Sequence, residues 1–188
     1  MNNEELKHLI TPTEFAELAR PVSIHLDDNE VQAFIDECEQ LFIIPAIGYG
    51  NYKAAVGDTT WDTTLDGTFN PDTLVSGGEW ELVRPCVCDG ARVLPGLRYC
   101  AGLKRALAYF VYAKMARADG AIYSRAGFMQ HDDQYAHHVD DSKLKQYNDA
   151  MSVAETYLGG CLLYLKYNST NPVQPVHGSR ARIHAIGD

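Results

Sequence analysis

No stretch of this sequence approaches the roughly 20 consecutive apolar residues that cross a bilayer. The best candidate, Ala106 to Ala113, is bracketed by Lys104, Arg105 and Lys114, so no membrane span is expected. Positive charge is also scarce: 16 Lys and Arg stand against 25 Asp and Glu, a formal net charge of -9. That balance argues against a protein that grips nucleic acid through its phosphates. The first residues, with Glu4, Glu5 and Lys7, lack the basic and apolar regions of a secretory signal, so the chain is expected to stay in the cytoplasm. Five cysteines, an odd number without regular spacing, read as reduced intracellular thiols and not as a disulfide framework.

Signatures of catalysis are missing too. There is no G-x-G-x-x-G, no phosphate-binding G-x-x-x-x-G-K-[ST] and no G-x-S-x-G elbow. The chain is therefore not expected to be an enzyme, and no catalytic residue or cofactor is assigned.

What is present is enough apolar material for a core: 188 residues, 46% hydrophobic and 22% charged, fit one domain better than disorder or a coiled coil. Thr11-Pro12-Thr13-Glu14 reads as a capping box opening a short helix to about Arg20, stopped by Pro21. Asp27 or Asp28 caps a second helix, with Val31, Phe34, Ile35, Cys38, Leu41 and Phe42 on its apolar face and Asp36, Glu37, Glu39 and Gln40 on the other, closed or kinked by Pro45 and Gly48. Gly57 to Gly78 reads as a long surface excursion without helical period. Asp89-Gly90 suits a type I′ turn joining strands Trp80 to Cys88 and Ala91 to Leu94. Helical period returns at Ala101 to Ala118 and again from Asp141 or Ser142 to Tyr167, where Leu144 to Leu165 supplies a stripe that Gly159-Gly160 should weaken or bend.

The predicted fold class is mainly α, a helical bundle of about four helices with an inserted β-hairpin and a long loop. Residues 1–170 form one domain with the insertion at about 57–95, and 171–188 an extended tail with a possible edge strand.

Two clusters invite a metal. Cys86-x-Cys88 with Cys100 offers thiolates, but the spacing is tighter than structural zinc sites use and a fourth ligand is wanting. His131, His137 and His138 lie among Asp132, Asp133, Asp140 and Asp141, the residue types of a hydrolytic metal site, yet match no helix-borne ligand pair. The plainer readings, hairpin-face cysteines and a solvated polar loop, are favoured, and no metal ligand is assigned. His8, His25, His177 and His184 stand isolated, and the tyrosines from Tyr99 to Tyr167 suit either a half-buried core border or a contact surface.

Three stretches carry a resemblance. Ile35-Asp36-Glu37-Cys38-Glu39 with Phe42 to Gly48, then Leu74 to Trp80 followed by Gly102 to Phe110, and finally Ala154-Glu155-Thr156-Tyr157-Leu158 with Ile186-Gly187 are similar to the small head-to-tail connector (adaptor) proteins of tailed phages and prophages. The loop from His131 to Asp141 is more elaborate than in that family. The resemblance implies a non-enzymatic virion protein that forms a homo-oligomeric ring between the portal protein and tail-completion proteins, assembled in the bacterial cytoplasm and residing at the virion neck. DNA would pass through without specific binding. The competing readings are a small metal-dependent hydrolase using His131, His137 and His138, or a plain interaction module.

Overall fold

A computed structural model of the chain describes residues 7–20, 27–57, 71–83, 86–88, 91–118, 121–124, 127–130 and 140–168. It is mainly helical with β-hairpins inserted between the helices. Helix α1, Pro12–Leu18, begins as its sequence dictates: the Thr11 hydroxyl accepts from the Glu14 amide, and the Glu14 carboxylate accepts from the Thr11 amide. Ile10 and Phe15, at the positions of a hydrophobic staple, are both buried.

Helix α2, Asp28–Cys38, starts where Asp27 accepts from the Asn29 amide and buries Val31, Ile35 and Cys38. It then widens into a π-helical turn, Glu39–Ile43, before the short helix α3, Ile44–Ile47. Proline explains the widening. Pro45 has no N–H for the Leu41 carbonyl, and its ring would collide with that carbonyl in a regular α-turn. The Ile44 amide reaches back five residues to the Glu39 carbonyl instead.

One extra residue in the turn rephases the helix and corrects the expectation for its faces. Leu41, expected inside, is exposed, whereas Glu39, expected outside, is buried at 2% exposure. Phe42 still faces the core and stacks on Phe110, centroids 4.4 Å apart. Beyond Gly48, at φ +80, the chain forms another short helix, α4, Tyr49–Ala55, which the sequence reading did not foresee.

The excursion also needs correction. Residues 58–70 lie outside the described residues, but Pro71–Ser76 is a helix, α5, and its Leu74 is fully buried. The hairpin is longer than expected and interrupted. Strand β1, Gly78–Leu82, pairs antiparallel with β4, Gly96–Cys100, while β2, Cys86–Cys88, pairs with β3, Ala91–Val93. Three residues, 83–85, separate the ladders on one leg and two, 94–95, on the other, so the register shifts by one. The Asp89-Gly90 turn lies outside the described residues.

Helix α6, Leu103–Ala118, buries Leu103, Leu107, Phe110 and Val111, with Ala106, Ala108 and Ala113 permitting close approach. The following segment, read as irregular, contains a second hairpin, β5 (Ala121–Ser124) with β6 (Gly127–Gln130). Helix α7, Asp140–Asn168, runs through Gly159-Gly160 without a break. Arg117 lies over Tyr147 and Tyr109 meets Tyr157 edge-on, so α6 and α7 run antiparallel. Sixteen residues of α6 span about 24 Å and the 29 of α7 about 43 Å, so α7 overhangs its partner at both ends. That overhang leaves Leu144 exposed, contrary to its place in the expected stripe. At the other end α7 reaches the β1–β4 ladder, where Tyr164 packs edge-on against Trp80.

Ion pairs fasten the helices at the rim. Lys104 of α6 meets Glu14 of α1, Lys114 of α6 meets Glu37 of α2 at 2.7 Å, and Arg20 meets Asp149 of α7 at 2.6 Å. No helix among the described residues is long and apolar enough to cross a membrane.

Candidate functional site

Most of the metal candidates read from the sequence fall outside the described residues. His131, His137 and His138 lie outside the described residues, as do the side chains of Cys86 and Cys88 on β2. Among the described residues no group of three or more His, Cys, Asp or Glu side chains is gathered as a metal would require. Cys100 turns inward at the end of β4, and its sulfur lies 3.4 Å from that of Cys161 on α7. Both are buried free thiols. The Cys161 contact and, behind it, the Gly102 amide hold the Cys100 thiol below its ordinary value against the opposing effect of burial, whereas Cys161 is pushed up by the same contact and by burial.

The π-turn creates a polar centre that the sequence reading missed. The buried Glu39 carboxylate accepts from the Leu9 amide at 2.7 Å and the Tyr52 hydroxyl at 2.8 Å, and lies 2.9 Å from His8 Nδ1. Asp36 stands 3.4 Å from the same nitrogen, so His8, read as isolated, is held between two carboxylates. Burial and the hydrogen bond to Glu39 push the Tyr52 hydroxyl far above its ordinary value. This centre ties the segment before α1 to α2 and α4. The contacts described for it are all within the chain and hold these segments together. A buried carboxylate is stable only when its lone pairs are filled, as they are here. The signal that could have revealed it was Pro45, six residues after Glu39, because a proline there rotates the preceding turn.

The remaining site is a surface. In β1 and β4 the side chains alternate: Trp80 and Leu82 face the core beside Cys100, and Glu79, Glu81, Leu97 and Tyr99 face outward. Glu79 stands opposite Tyr99, and Glu81 opposite Leu97. Leu97 is 68% and Tyr99 63% exposed, and Val83 and Leu94, just beyond the ends of the ladder, are exposed as well. A second surface lies at the overhanging start of α7, where Leu144 and Lys145 are exposed near Tyr147 and Arg117. From Leu144 to Cys161 the helix advances about 25 Å, so the two surfaces are well separated. Among the described tyrosines of α6 and α7, Tyr164 is buried, and Tyr109, Tyr112 and Tyr167 pack against the core.

A family model matches residues 43–173, more than half of the chain. The chain belongs to a family of unknown function, DUF6712. The stretch shared with DUF6712 begins at the last residue of the π-turn and takes in both hairpins, the α6–α7 pair and the Cys100–Cys161 contact, while α1 and all of α2 precede it. No curated protein and no solved structure matches the chain.

Proposed function

We propose that this protein is a head-to-tail connector of a tailed phage or prophage, a non-enzymatic subunit that joins copies of itself into a ring between portal and tail-completion proteins. The observation that carries the reading is the pair of unlike exposed surfaces. A ring closes through a heterologous interface, in which one face of a subunit meets a different face of its neighbour. The outer face of β1–β4 is apolar and acidic, with Leu97, Tyr99, Glu79 and Glu81; the start of α7 exposes Leu144 and Lys145 near Arg117 and is of mixed charge, since Asp140 and Asp141 open the helix. Lys145 and Arg117 on the one can meet Glu79 and Glu81 on the other, so a second copy is the occupant that we favour.

The resemblance in sequence adds to this. Its two middle stretches, Leu74 to Trp80 and Gly102 to Phe110, meet in space at the base of the hairpin, since a side chain at Gly102 would touch the Gly77 backbone. An excess of carboxylates also suits a channel past which DNA must slide without adhering.

Native mass spectrometry of the full chain, alone and with a portal protein from the same genome, tests the reading. Closed oligomers, or ring-shaped particles with the portal by electron microscopy, are expected. Leu97→Glu and Lys145→Glu should each weaken assembly with little change in monomer stability, and the reading fails if the protein stays monomeric at high concentration and never joins the portal.

A further inference from the structure

Cys100 and Cys161 are 61 positions apart in sequence, yet their sulfurs lie 3.4 Å apart in the core, one at the end of β4 and the other on α7. A disulfide needs the sulfurs at about 2.05 Å, so roughly 1.4 Å of side-chain motion would bring them to bonding distance. Cys38 is equally buried but is pushed up to about 12 by burial. The contact between Cys100 and Cys161 is therefore a feature of this pair and not of buried cysteines in general.

We propose that Cys100 and Cys161 are a two-electron dithiol–disulfide couple, oxidised by hydrogen peroxide, whose oxidised form clamps the β1–β4 hairpin to α7. This inference does not depend on the ring. The Cys100 thiolate attacks one peroxide oxygen, the O–O bond breaks, hydroxide leaves, and Cys100 becomes a sulfenic acid. The Cys161 sulfur then attacks the Cys100 sulfur, the S–O bond breaks, and the hydroxyl leaves as water with the Cys161 proton. Two thiols and one peroxide give one disulfide and two waters.

Local opening of α7 would give the oxidant its route. Both sulfurs are shielded, so peroxide reaches them when the end of α7 parts locally from the hairpin. Gly159 and Gly160 directly precede Cys161, and no atom lies within 4 Å of where their side chains would be. Two helix-interior glycines without packing lower the cost of that opening.

Peroxide treatment of the native full chain, followed by quenching, alkylation, digestion and mass spectrometry, tests the couple. The expected result is a peptide pair linking Cys100 to Cys161, a mass about 2 Da below the reduced chain for that link, its loss on adding dithiothreitol, and a higher thermal midpoint for the linked form. Cys38 should stay reduced, and the link should be absent from Cys161→Ser. The proposal is overturned if Cys100 and Cys161 remain alkylatable, link to other cysteines, advance to sulfinic acids, or join only after the chain is unfolded in urea.

Discussion

Gly77 and Gly102 stand back to back where α5 turns into β1 and β4 turns into α6, both at φ +90. A Cβ on Gly102 would lie 2.6 Å from the Gly77 nitrogen, and one on Gly77 would lie 2.7 Å from the Ala101 carbonyl oxygen. Backbone meets backbone at this crossing, so no rotamer change can relieve a clash. Gly102→Ala is therefore expected to cost about 3 kcal/mol, combining left-handed strain with displaced backbone. Gly57→Ala, at φ +71 with open space around it, should cost only about 1 kcal/mol. Urea titration of both variants checks the contrast.

Glu39→Gln should destabilise the chain by about 2–3 kcal/mol, because the amide keeps one acceptor where the carboxylate served three partners, and its own N–H₂ would oppose a donor. Tyr52→Phe removes one of those partners and should cost about 1 kcal/mol. A double-mutant cycle is expected to show coupling between the two positions. The Leu9 amide, which donates to Glu39, should exchange with solvent faster in Glu39→Gln, as hydrogen-exchange measurements can follow.

How far the sequence foretold this fold depended on where each signal lay. The Thr11 capping box, the Asp27 cap and the periodic faces of α6 and α7 were legible because each is decided within a few residues of itself. The burial of Glu39 was not, since one proline downstream shifted the phase of the turn that carries it. Helix α5 is only six residues long, too short for periodicity, although Asn70-Pro71-Asp72 offered a start signal. The second hairpin has four-residue strands whose pairing of Tyr123 with Phe128 is set across a two-residue connection and not within either strand. Of the candidate surfaces, the tyrosines were noticed but the outward alternation of Leu97 and Tyr99 was not, because the strand was expected to end at Leu94.

Gly159→Ala should stabilise the protein by about 0.5–1 kcal/mol, since glycine is a poor helix former and a methyl group there meets nothing. Thermal melting would register the gain. It should also slow peroxide oxidation of Cys100 if opening near Cys161 admits the oxidant.

Stability should depend on Glu14 in acid. The Lys104 ammonium, foremost, and the Thr11 groups hold the Glu14 carboxyl below its ordinary 4.5, although burial opposes them. A carboxyl that is more acidic when folded contributes fully above the unfolded value, and its contribution fades as pH falls through the folded one. The difference in melting temperature between the wild type and Glu14→Gln should thus be largest near neutrality and close below about pH 4.5. Both side chains are partly solvated, so the ion pair contributes about 0.5 kcal/mol.

The wide turn at Glu39–Ile43 fixes the length of this part of the chain more strictly than its composition. Deleting one residue from it would press Pro45 against a regular α-turn and swing everything downstream by about 100° around the helix axis. Ile47 would leave the core while Val31 and Ile35 kept their places. Related chains can exchange side chains along this helix, but gaps in their alignment should fall elsewhere.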